Sequence, residues 1–103
     1  MMIEKELESY LFNGLKNLND GFDAQSIFYC SEQDFKIVLD RVEAKNLAVY
    51  GIEPWLDGQF FGVEVYESHN LAATDPAWYR TAFESFRQQE PRLMYAMSYG
   101  IDG

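Results

Sequence analysis

The side chains able to do nucleophilic, acid–base or metal chemistry are few and widely spaced. There is one cysteine, Cys30, and one histidine, His69. Cys30 precedes a predicted helix N-terminus, where a thiolate is stabilised, and a cysteine beside a histidine makes a nucleophile–base dyad. Spacing argues against that pairing. With Ser26–Cys30 and Gln59–Glu67 as antiparallel neighbours, Cys30 sits near the start of the second strand and His69 follows its end. At ~3.3 Å per residue the two are about 20 Å apart, so Cys30 reads as a small buried hydrophobe.

Glu67 and His69 are two residues apart and share a face if the strand continues, with Glu64 on the other face. A metal site needs three or four converging ligands. Only two can be named, so neither a metal nor a cofactor is expected. The plainer reading is a polar strand end running into a loop; the alternative is that His69-Asn70 lines a pocket. Glu53 and Glu64 are predicted as diagonal cross-strand neighbours. Paired carboxylates do acid–base work when their pKa values are pushed apart, and they also bind Arg or Lys of a partner. No P-loop and no G-x-G-x-x-G occurs, and no catalytic residue is assigned.

The elements that must position these groups follow from periodicity. Residues 2–18 are predicted as a helix, with Ile3, Leu7, Tyr10, Leu11, Leu15 and Leu18 on one stripe, Gly14 inside it, and Asn19-Asp20-Gly21 as the stop. Ser26–Cys30 is a short strand. Ser31 caps a second helix whose stripe is Phe35, Val38, Leu39 and Val42, ending near Lys45-Asn46. Leu47–Trp55 and Gln59–Glu67 are strands joined by an Asp57-Gly58 type I′ turn. Pro54 lacks an N–H and marks the first of them as an edge. Asp75-Pro76 opens a third helix with Tyr79, Ala82, Phe83 and Phe86 buried. Trp78 and Tyr79 are adjacent, so one of the two is a candidate for exposure. Leu93–Ile101 is the last strand.

Without the first helix the order is β-α-β-β-α-β over residues 26–101. This resembles the ferredoxin-like, split βαβ pattern, which implies an α+β fold with an antiparallel sheet and two helices on one face. It says nothing of iron–sulfur chemistry, which one cysteine does not support. With Asp57-Gly58 as the loop, Trp55 lies opposite Phe60, Ile52 opposite Val63 and Tyr50 opposite Val65. Ala48, Tyr50, Ile52, Phe61, Val63 and Val65 then form the helix-covered face. The other face carries Leu47, Val49, Gly51, Glu53, Trp55, Phe60, Gly62, Glu64 and Tyr66, a mixture of aromatics, glycines and carboxylates that indicates an interface or ligand surface. Three covers are open: the first helix through Leu7, Leu11 and Leu15, a second copy of the chain, or a different partner or ligand.

Bulk composition sets the remaining bounds. The chain has 103 residues, 17% of them aromatic, and a formal charge of −9 from 17 acidic and 8 basic side chains. That length suits one domain spanning 1–103, the aromatic content excludes a disordered acidic tail, and the charge argues against nucleic acid. No apolar run approaches a membrane span, no secretory signal is visible and no internal disulfide is possible, so cytoplasm is the default location. From Asn46 to Tyr79 there is no Lys or Arg, while Glu53, Asp57, Glu64, Glu67 and Asp75 fall inside that stretch. Such a surface steers a basic partner, or simply keeps a small protein soluble.

In size, acidity and lack of catalytic motifs the chain resembles toxin-immunity and nuclease-inhibitor proteins and the products of mobile gene cassettes, such as those of integrons. The resemblance carries over no residues. It implies an interaction protein that binds a basic protein through the 47–67 hairpin, with Glu53, Asp57, Glu64 and Glu67 as charged contacts and Trp55, Phe60 and Tyr66 as anchors. The alternative from a different class is a small-ligand binder or small enzyme, dimeric, with a pocket on the open sheet face lined by Tyr50, Trp55, Glu64, Tyr66 and His69.

Overall fold

Two helices form where periodicity and capping agree. In the computed structural model, which describes residues 4–101, helix α2 spans Glu32–Ala44 and helix α3 spans Pro76–Gln89. Ser31 Oγ accepts the Asp34 N–H at 3.2 Å at the start of α2. Asp75 Oδ1 accepts the Ala77 N–H at 2.9 Å at the start of α3, with Pro76 in the first turn. Each cap satisfies one donor that a helix start leaves orphaned. Phe35, Val38, Leu39 and Val42 are fully buried, facing Tyr79, Ala82, Phe83 and Phe86. The helices run antiparallel, since Arg80 pairs with Asp40 and Glu43 late in α2 and Arg87 pairs with Glu32 at its beginning. Trp78 and Tyr79 are both buried. The Trp78 indole N–H donates to the Val49 carbonyl at 3.1 Å, so its polar tip enters the core with a partner, whereas the Tyr79 hydroxyl is buried without a hydrogen-bond partner among the described residues.

The sheet is antiparallel throughout, with β1 (Cys30–Ser31), β2 (Ala48–Leu56), β3 (Gln59–Phe60), β4 (Glu64–Val65) and β5 (Met94–Gly100). Its order is β1-β5-β2-β3, with β4 also on β2. The class is therefore α+β, with three helices and five strands among the described residues. The ferredoxin-like arrangement is not confirmed. The strand after Ser26 pairs with β5 and not with Gln59–Glu67, because β5 enters the centre of the sheet. Most of Ser26–Cys30 is irregular; only Cys30 and Ser31 join the ladder.

Pro54 explains a second departure. β2 lies inside the sheet, with β5 on one side and β3 and β4 on the other, so it is not an edge. A strand residue directs its N–H and C=O to the same neighbour, and the Pro54 carbonyl accepts the N–H groups of Phe61 and Gly62 at 3.0 and 3.4 Å. With no N–H to return, Pro54 interrupts the ladder, and two donors share one acceptor as in a β-bulge. The predicted strand Gln59–Glu67 is thereby split into β3 and β4 and ends in a 3-10 turn, Tyr66–His69.

Helix α1 covers Glu4–Phe12; Met2 and Ile3, predicted to begin it, lie outside the described residues. It is shorter than 2–18 because Gly14 ends it. Gly14 has φ +78°, and the Leu15 N–H turns back to the Phe12 carbonyl at 3.0 Å, a left-handed glycine stop. α1 packs on α2, with Leu7 and Leu11 buried. The Tyr10 hydroxyl donates to the Arg41 carbonyl at 2.8 Å, and Arg41 Nη1 donates to the carbonyls of Leu11 and Asn13 at 3.0 and 2.9 Å. The guanidinium thus caps the end of α1. The helical part of the first expected cover, Glu4–Phe12, packs on α2.

Candidate functional site

Two register shifts decide which side chains meet. The hairpin begins as expected: Asp57 and Gly58 have φ 51° and 78°, as a type I′ turn requires, and Trp55 pairs with Phe60. After the bulge at Pro54, Ile52 pairs with Glu64 and Gly51 with Val65, one residue off the expected register. A one-residue slip turns every later side chain to the other face. A second irregularity lies between Val49 and Gly51 in the β2–β5 ladder. It sends Leu47 and Val49 into the core beside Ile52, and it leaves Tyr50 half-buried against Gly100. Glycines and proline inside an alternating strand were the signal for both shifts.

The predicted site residues consequently divide into two groups. Glu53, Trp55 and Phe60 stay on the open face, with Asp57 exposed at its turn. Glu64 moves to the helix side, where its Oε1 lies 2.9 Å from His69 Nε2. The His69 ring sits 5.3 Å from Trp78, and Tyr66 packs 6.2 Å from Tyr50 against the edge of the core. Glu53 and Glu64, expected as a diagonal pair, are on opposite faces of the sheet. His69 meets Glu64 and not Glu67, because the 3-10 turn folds it back while Glu67 stays exposed. Val63 and Val65, expected in the core, face the open side, where they line a groove with Gly51 and Glu53.

That face has a cover that sequence reasoning missed. The chain from Asn13 to Tyr29 crosses it without regular structure. The Asn19 side chain organises the crossing: its Nδ2 donates to the carbonyls of Ala24 and Ile27 at 2.8 and 2.9 Å, and its Oδ1 accepts the N–H groups of Gly21 and Asp23. Asn17 Oδ1 accepts the Tyr29 N–H at 3.0 Å, and the Leu18 N–H donates to the Tyr29 carbonyl at 2.8 Å. Phe22 and Tyr29 are thereby set 5.3 and 5.6 Å from the Trp55 ring, with Phe60 on another side at 6.2 Å. The available signal was a turn-rich stretch, Asn19-Asp20-Gly21, followed by two aromatics, Phe22 and Tyr29.

Polar groups rim this aromatic cluster. The Tyr29 hydroxyl donates to Asp23 at 2.5 Å, and the Trp55 indole N–H donates to Glu53 Oε1 at 3.0 Å. The hydrogen bond from Tyr29 holds the Asp23 carboxyl below its ordinary value, helped by the Ala24 N–H. Burial raises the Tyr29 phenol, with Asp23 adding to it. Beside Trp55 the cover leaves a groove of about 310 Å³, with Gly51 and Ala96 as its floor, Val63, Val65, Ser98 and Glu53 along its sides, and Ile27 of the covering segment at its border. Phe60 and Val63 are 57% and 53% exposed.

Cys30 is fully buried, and burial, followed by the nearby Asp34 charge, pushes its thiol up to about 12. It is held as a neutral thiol, not the thiolate that a nucleophile requires. Among the described residues no three His, Cys, Asp or Glu side chains converge as a metal site would need. Among the described residues no helix is long and apolar enough to cross a membrane. Comparison with protein-family models, with curated proteins and with solved structures found no match.

Proposed function

We propose that the chain is a small acidic interaction domain of the immunity or inhibitor kind, which docks a basic protein on its open sheet face. The supporting observation is the juxtaposition on that face of exposed Phe60 and Val63 with the carboxylates Glu53 and Asp57. The stretch Asn46–Tyr79 that carries them has no Lys or Arg. Apolar surface beside exposed carboxylates is how a protein interface gains affinity from its centre and steering toward a basic partner from its rim. On this reading the contact set is Glu53, Trp55, Asp57 and Phe60. Glu64, Tyr66 and His69 are turned to the helix side.

The test is an amide NMR titration with an arginine-rich dodecapeptide at low and high salt. Perturbed amides are expected around Glu53–Phe60 and Val63, with binding weakened by salt. The Glu53→Lys/Asp57→Lys double variant should lose binding, and Glu6→Lys/Glu8→Lys on α1, with the same change in net charge, should keep it. Equal loss in both variants would reduce the effect to overall charge and remove the reading.

A further inference from the structure

Glu53 is a half-buried carboxylate whose Oε1 accepts the Trp55 indole N–H. Among the described residues it forms no ion pair with any Lys, Arg or His; those pairs all involve other carboxylates. An ionised carboxylate offers about four acceptor sites, and one neutral donor leaves most of them free. A cation from outside the chain would complete it.

The space beside Glu53 has the shape for one. The groove exists because Gly51 has no side chain. A Cβ there would meet Ser98 Oγ at 3.4 Å and Val65 Cγ1 at 3.5 Å, so any larger group would fill it. Ala96 and Ser98 keep the β5 side low, and Val63 and Val65 form an apolar wall. An apolar trough ending at a fixed carboxylate suits an arginine: the alkyl stem lies along the valines and the guanidinium reaches the acid. Glu53 itself lies in the stretch without Lys or Arg, so no neighbouring residue in sequence competes for it.

We propose that this groove takes one arginine side chain of the basic partner, with Glu53 as its counter-charge. This rests on the docking reading above and assigns it a specific pocket. The experiment titrates the protein with a capped pentapeptide of glycines around one arginine, and with the same peptide carrying citrulline, which keeps the shape and removes the charge. Saturable shifts are expected at Gly51, Glu53, Val65, Ala96 and Ser98 with arginine, and none with citrulline. Glu53→Gln should weaken arginine binding at least about tenfold. Its amide oxygen still accepts the Trp55 indole N–H, so the fold is kept. Gly51→Val should do the same by filling the trough, and Asp57→Asn, outside it, should change binding less than about twofold.

If the arginine peptide binds but Glu53→Gln and Asp57→Asn weaken it equally, with shifts outside the groove, the pocket is wrong and the acidic-face reading stands. If neither this peptide nor the arginine-rich dodecapeptide binds at low salt, both readings fall.

Discussion

The two faces of the sheet are held by different physics. On the helix side, α2 and α3 bury Phe35, Leu39, Trp78 and Tyr79 completely against Ile52 and Tyr95. Phe35 stacks on Tyr95 at 4.9 Å while Phe83 meets both rings edge-on. That attraction is non-directional and scales with area. On the open side the cover is an irregular segment fixed by a few side-chain amide hydrogen bonds, chiefly those of Asn17 and Asn19. Such a cover is discrete: it shields Trp55, and through Ile27 it only borders the groove at Gly51, Val63 and Glu53.

The comparison is broken most severely by attacking the helix side. Phe35→Ala should destabilise the whole domain by about 3–5 kcal/mol, as a fully buried aromatic does. Chemical denaturation should show one cooperative transition moved to lower denaturant. A loss below about 1 kcal/mol would mean that the α2–α3–β5 core does not carry the stability assigned to it.

Asn19→Ala attacks the open side. Two donors and two acceptors lose their partners, for a cost of about 1–2 kcal/mol, since each bond contributes modestly once water replaces it. The distinguishing readout is hydrogen exchange. Amides of the 17–29 segment should lose protection while those of β2 and β5 keep theirs. Uniform loss across the sheet would show that the cover and the core are one cooperative unit.

The smallest effect is in acid. The Tyr29 hydroxyl holds the folded Asp23 carboxyl below its ordinary 3.8. A depressed folded pKa contributes stability above the unfolded value and loses it as pH falls through the folded one. Tyr29→Phe removes that donor, so the stability gap between wild type and variant should narrow on acidification below pH 4. A gap constant with pH would mean that the hydroxyl does not favour the charged form of Asp23.

The regular elements were legible from local sequence. Ser31, Asp75 and Pro76 marked helix starts by capping chemistry, and the stripes through Phe35 and Phe83 gave the buried faces. Asp57-Gly58 set the first hairpin pair. Each depends on residues close in sequence. The bulges were signalled but not placed, because Gly51, Pro54 and Gly62 announce an interruption without saying which neighbouring strand absorbs it. Glu64 illustrates the consequence: counting by twos from the turn put it beside Glu53, and one extra residue in the ladder carried it through the sheet to His69.

By itself, then, the sequence determined α2 and α3, the hairpin turn and a stretch without basic residues, because capping, periodicity and charge are properties of neighbours along the chain. Only the tertiary structure decided the rest. The insertion of β5 between β1 and β2, the packing of α1 on α2 and the crossing of the 13–29 segment over Trp55 all join residues distant in sequence. Their energies depend on area and hydrogen bonds that exist only once the sheet has formed. The groove at Glu53 is a product of that assembly: Gly51, Val65 and Ala96 come from three strands, and no local pattern brings them together.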